Sequence, residues 1–152
     1  MKRTIQLFGM TIDAVDMDQA VDAVWHWCQG PRDGRCRYVV TPNVDHVVTY
    51  QSNPALRAAY SGASLVLADG APVVLASRLL RRGLPQRVAG SDLVPALLDR
   101  AARESTGKPL RVFLLGAAPG VADQAAMRIH QRWSGVEVVG TASPPQIGRA
   151  HV

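Results

Sequence analysis

Asp69 stands at the end of an apolar run, Leu65-Val66-Leu67-Ala68, and is followed at once by Gly70. A carboxylate at the mouth of a buried strand suits a general base. A glycine beside it lets a ligand come close to the backbone. Asp-Gly is also a hairpin signal, but a hairpin needs a second strand immediately afterwards. Here Ala71-Pro72 opens a helical pattern instead, so the turn explanation weakens. A second polar group closes another apolar run: "YVVTPN" places Thr41 and Asn43 at a strand end, where a hydroxyl and an amide can bond a sugar or a base. Asn43 is also a natural helix cap, and the two roles are compatible. Arg87, in "RVAGSD", offers a planar cation to a phosphate or carboxylate, with a salt bridge as its ordinary role.

"VFLLGAAPG" (112–120) reads as strand, glycine, short loop and helix, so Gly116 marks a place where backbone N–H groups can face a phosphate. Gly116 and Gly120 are four apart and no Gly-Lys-Ser/Thr follows. The spacing therefore fits neither the dinucleotide fingerprint nor the P-loop, and a tight strand-to-helix turn explains it equally well. A nicotinamide-dependent oxidoreductase is disfavoured on the same ground. Asp16-Met17-Asp18 is an Asp-x-Asp, but it falls at the predicted start of the first helix, where Asp16 reads as the cap, so the sequence gives little support to a metal–diphosphate clamp, and no metal ligand set is expected.

The elements that must hold these groups alternate. "RTIQLFGMTI" reads as a strand or hairpin bent at Gly9. An apolar face of Met17, Ala20, Val21, Val24 and Trp25 predicts a helix capped by Asp16 and stopped at Gly30-Pro31. Strands are predicted near 37–41, 64–68, 110–115 and 136–140. Helices between them begin at Asn43, at Asn53-Pro54, at Pro72, near Ser91 or Asp92 with Pro95 arguing for a later start, and at Pro119-Gly120. Strands separated by helices imply parallel pairing, and hence an α/β fold, a Rossmann-like parallel sheet flanked by helices. No repeat or linker interrupts the pattern, so one domain is expected over 1–146.

Composition narrows the function classes. The chain has 152 residues, a net charge of +5, and only 5% aromatic residues, too few for a base-stacking surface, so no nucleic-acid partner is expected. Arg78, Arg81, Arg82 and Arg87 form the densest basic cluster, which suits an anionic ligand or surface as well as a solvated helix end. Cys28 and Cys36 have no metal or redox spacing and read as free thiols. Gly9 and Asp13 break the apolar stretch behind Met-Lys-Arg, so neither a signal peptide nor a spanning segment is expected. The ending "IGRAHV" (147–152) is what one frame of a common sequencing-library adapter encodes. It is expected to be a non-native, unpacked tail.

Taken together, "TPN", "ADG", "RVAGSDL" and "VFLLGAAPGVA", with the opening "LFGMTIDAVDMDQAVDAV", resemble the WecG/TagA/CpsF family of bacterial glycosyltransferases in order and spacing. The likeness runs from about residue 5 to 145. It implies an inverting glycosyltransferase that moves a sugar from a UDP-sugar to a polyprenyl-diphosphate-linked acceptor in cell-surface polysaccharide or teichoic-acid synthesis. It implies a cytoplasmic protein peripheral to the inner membrane face, with no cofactor beyond the UDP-sugar donor and with homo-oligomer formation open. By position it makes Asp69 the catalytic base and Thr41 a catalytic partner, with Asn43, Arg87, Gly70 and Gly116 binding substrate. The family's later Pro-Lys-Gln-Glu motif and its C-terminal membrane-targeting appendage are not in this sequence, so an N-terminal piece, truncated at its C-terminus, is expected. A non-catalytic nucleotide-binding or regulatory α/β domain is the alternative.

Overall fold

The computed structural model describes residues 3–144 except Arg32, Arg82 and Thr106, so the tail expected at 147–152 lies outside the described residues. The chain forms two compact units, Met1–Ala96 and Leu97–Val152. The division falls inside one helix, and no linker marks it.

The first unit opens with a hairpin, β1 (Thr4–Leu7) and β2 (Met10–Asp13), turned at Phe8 and Gly9, both with positive φ. Helix α1 (Met17–Gln29) follows. Asp16 and Gln19 form a reciprocal capping box at its start, Gly30 ends it, and it buries Ala20, Val21 and Trp25. Next come β3 (Val39–Val40), α2 (Val44–Ser52), α3 (Pro54–Ser61), β4 (Leu65–Val66) and α4 (Ala71–Leu79). Asn43 caps α2, and Asn53 caps α3 with proline in its first turn. Each such cap contributes about 1 kcal/mol.

β3 and β4 pair in parallel, Val39 with Leu65 and Val40 with Val66. The regular ladder is two residues long, shorter than the 37–41 and 64–68 expected, yet its hydrogen bonding continues. Ser64 N–H donates to Tyr38 O, Leu67 N–H to Val40 O and Asp69 N–H to Pro42 O, each at 2.9 Å. Leu65, Val66, Leu67 and Ala68 are all buried, the mark of a parallel strand covered on both faces. Val66 and Ala68 share a core with Ile5, Leu7, Met10, Ile12, Val73 and Leu84. A buried carboxylate ties the hairpin to this strand, Asp13 Oδ2 accepting from Val66 N–H at 2.7 Å.

Helix α5 (Gly90–Glu104) carries Pro95 in its interior. The expected cap at Ser91 or Asp92 and start near Pro95 are therefore corrected. The helix begins at Gly90, with Ala89 O accepting from both Asp92 and Leu93 N–H. Pro95 lies in the second turn, where it has no N–H to give the helix ladder.

In the second unit β5 (Leu110–Leu115) and β6 (Val136–Ala142) pair in parallel around α6 (Val121–Arg132). The register slips between Val112 and Phe113, so Phe113 faces Gly140, where a Cβ would lie 2.7 Å from its ring. Trp133 Nε1 donates to Asp99 at 2.6 Å, fixing the end of α6 to α5. The parallel pairs flanked by helices make this an α/β protein, as the alternation of elements predicts. Among the described residues no helix is long and apolar enough to cross a membrane.

Candidate active site

The carboxyl ends of β3 and β4 lie side by side, because Asp69 N–H reaches Pro42 O. Thr41, Asn43, Asp69 and Gly70 are thereby brought to one edge. Open parallel sheets bind ligands outside such ends. Past β4 the backbone turns through Gly70, whose φ of 124° and ψ of 132° no L-residue adopts comfortably, and α4 starts at Ala71. An added Cβ would meet only Pro72, at 3.7 Å, so the dihedral angles rather than crowding require glycine. Gly70→Ala is expected to cost about 1–3 kcal/mol in urea denaturation, as a residue held in a Gly-only region does. A variant as stable as the parent would mean that Gly70 serves ligand approach alone.

A third segment, residues 84–89, flanks β4 and was not foreseen as a structural neighbour. Val88 N–H donates to Ala68 O at 2.9 Å, and Leu84, Val88 and Ala89 are buried. Its path is set by Ser77, a fully buried hydroxyl on α4 that donates to Val74 O at 2.7 Å and accepts from Leu84 N–H at 3.3 Å. Anchored in this way, the segment presents Arg87. The guanidinium bridges two carboxylates, Nε to Asp69 Oδ1 at 3.4 Å and Nη1 to Asp92 Oδ2 at 3.2 Å. Sequence reasoning offered Asp92 as a helix cap and missed this pairing. Arg87 and Asp69 remain open to solvent, with side chains 45% and 31% exposed, so a ligand can reach both.

Thr41 adjoins the start of α5. Its Oγ1 lies 3.5 Å from where a Cβ on Gly90 would stand, an ordinary contact distance. Asn43 Oδ1 accepts from His46 N–H at 3.1 Å, and His46 Nδ1 accepts from Asn43 N–H at 3.3 Å. The cap thus uses the amide oxygen and leaves the amide nitrogen free to donate elsewhere. Three helices, α2, α4 and α5, begin around this edge. α4 has no side-chain cap, so its first N–H groups are left to a ligand or to water. Unsatisfied N–H groups and the positive ends of helices favour an anion here, and a diphosphate fits that field.

Gly116 belongs to the second unit. It follows β5 with φ of 120°, its N–H donates to Ala142 O at 2.8 Å, and it lines a shallow 350 Å³ hollow with Phe113, Val121 and Ala125. Nothing lies within 4 Å of an added Cβ, so its backbone conformation alone accounts for glycine. Cys28 and Cys36 are free and exposed. Partial burial of its sulfur pushes the Cys28 thiol up from its ordinary value, which makes it a weaker nucleophile.

Comparison with known proteins joins this geometry to a family. The family model described as "Glycosyl transferase WecG/TagA/CpsF family" matches residues 5–151. The chain belongs to the WecG/TagA/CpsF family of glycosyl transferases. It is also similar to an N-acetylglucosaminyldiphosphoundecaprenol N-acetyl-beta-D-mannosaminyltransferase from Bacillus spizizenii, 36% identical over 103 residues. That alignment takes in 68% of this chain and 38% of the relative, so the chain spans well under half the length of the curated relative it matches. The family match covers both units and all the candidate site residues.

Proposed function

We propose that this WecG/TagA/CpsF chain carries the catalytic edge of an inverting glycosyltransferase that moves an N-acetylated hexosamine from a UDP-sugar to a lipid-linked saccharide diphosphate. The observation that carries this reading is Asp69: a solvent-reachable carboxylate at a parallel strand end, held by Arg87, next to an uncapped helix start. The acceptor hydroxyl oxygen attacks the anomeric carbon from the face opposite the nucleotide. The carbon–oxygen bond to the diphosphate breaks, its electron pair leaves with UDP, and the hydroxyl proton passes to Asp69. Thr41 and Asn43 orient the sugar. The N–H groups of α4 receive the charge that gathers on the leaving diphosphate. From an α-linked donor, the β product in the relative's name requires inversion, and one carboxylate base is sufficient for it. The reaction takes place at the cytoplasmic face of the membrane, where the lipid-linked acceptor is held.

The test is transfer from UDP-N-acetylmannosamine to a short-chain lipid analogue of N-acetylglucosaminyl diphosphate, followed by mass spectrometry and by NMR of the new anomeric centre. A β-linked disaccharide product is expected. A chain that binds UDP but forms no product with lipid-linked acceptors would be a nucleotide-binding domain instead. Retention of configuration would remove Asp69 as a simple base.

A further inference from the structure

Next to the Arg87 that holds Asp69 lies an open cavity of about 540 Å³, lined by Pro72, Val74, Leu75 and Arg78 of α4 and by Gln86 and Arg87 of the following segment. We infer that this cavity holds the lipid–diphosphate end of the acceptor: Arg78 and Arg87 take the diphosphate, and the Leu75–Leu79 ridge of α4 takes the first isoprenoid units. The inference rests on the reading of the acceptor as a lipid-linked diphosphate.

Charge is the first argument. From Gly70 to Ser91 the sequence contains four arginines and no acidic residue. Arg87 is balanced by Asp69 and Asp92, but Arg78 has no acidic partner among the described residues. It points an uncompensated guanidinium at a cavity whose other cation is already anchored at the proposed base. Two such forks suit the oxygens of a diphosphate.

The second argument is the apolar wall. Residues 71, 75 and 78 lie along one stripe of α4, and Leu79 follows Leu75 by one turn. Leu75 and Leu79 are 58% and 76% exposed, although the opposite face of the same helix, Val73, Val74 and Ser77, is buried. An apolar ridge rimmed by arginine, continuous with a cavity, fits an anionic head joined to a hydrocarbon chain. The cavity is also far larger than a diphosphate needs, within the usual range for a small-molecule site. A uridine fits it poorly. Gln86 is the lone amide of its lining and no aromatic ring faces it, so a base would find little to stack on or bond.

The experiment is calorimetric titration of the 152-residue chain with geranyl diphosphate, inorganic pyrophosphate and UDP. Geranyl diphosphate is expected to bind more tightly than pyrophosphate, because the wall contributes. Arg78→Gln should weaken both by about tenfold, the effect of one charge-assisted hydrogen bond. Leu75→Ser should weaken geranyl diphosphate several-fold and leave pyrophosphate unchanged. Neither should alter UDP affinity, and both replace exposed side chains on a helix surface, where folding tolerates change. Geranyl diphosphate binding that is absent, or indifferent to both substitutions, overturns the inference. UDP affinity that falls in step with Arg78→Gln overturns it too, by making the cavity the donor's. Sugar transfer that fails while geranyl diphosphate still depends on Arg78 and Leu75 counts against the transferase reading and supports the cavity.

Discussion

Asp69→Asn is expected to reduce sugar transfer by about 10²- to 10⁴-fold, the usual contribution of a general base, with UDP affinity little changed. The two side chains have the same shape. Asparagine keeps an oxygen that can accept from Arg87 Nε, now 3.4 Å from the carboxylate, so the loop carrying Arg87 stays where it is. What is lost is the ability to take the acceptor's proton as the glycosidic bond forms. Stability should hardly move, since an ion pair between side chains 45% and 31% exposed contributes at most about 1 kcal/mol. Single-turnover kinetics and UDP titration on the same variant separate the roles. If UDP binding disappears together with turnover, Asp69 holds the nucleotide. If transfer continues near the parental rate, the base lies elsewhere and Asp69-Gly70 only turns a strand into a helix.

The parts of this site that could be read in the sequence are those fixed by near neighbours. Asp16, Asn43 and Asn53-Pro54 cap helices through bonds three residues away, so their types and spacing were enough. β5 lies at its expected limits because Leu110-Arg111-Val112-Phe113-Leu114-Leu115, five apolar residues and one arginine between Pro109 and Gly116, leaves few alternatives. The strand ends were placed on the same reasoning, and backbone bonds do set Thr41 and Asp69 at one edge. The contacts that escaped are long-range. Asp13 reads only as a break in the opening apolar stretch until it meets Val66, 53 residues on. Ser77 interrupts the apolar face of α4, a visible signal, but its service to Leu84 depends on how the chain returns. Asp92 looked like a cap because Ser-Asp before a helix usually is one, and Pro95 drew the expected start too far along. A proline in the second turn forgoes one bond, and the buried Val88-Ala89 anchor fixes the start at Gly90 instead. Arg78 reads only as one of a basic cluster, since nothing local says that Arg87 is paired and Arg78 is not.

The largest expected effect on stability belongs to Leu67, two residues before the proposed base. Leu67→Ala should lower the unfolding free energy by about 2–5 kcal/mol in urea denaturation. The side chain is fully buried, at 0% exposure, while Val66 and Ala68 on either side turn to the opposite face and are buried as well. A strand covered on both faces has no solvent into which the structure can relax, so the truncation leaves a cavity. Natural domains hold only about 5–15 kcal/mol of net stability, so this one loss is a large fraction of it. Leu79→Ala is the control from the same chemistry. At 76% exposure it should cost no more than about 0.5 kcal/mol. Leu67→Met, which conserves volume, should stay under about 1.5 kcal/mol. The backbone bond from Leu67 N–H to Val40 O survives all of these changes, so the differences report packing alone. Because Asp69 is carried by this strand, Leu67→Ala should depress transfer through the folded fraction, and saturating UDP should recover part of it by binding the native state. Equal costs for Leu67→Ala and Leu79→Ala would mean that the run before Asp69 is no core strand, and that the carboxylate stands on a surface loop without the rigid support a base requires.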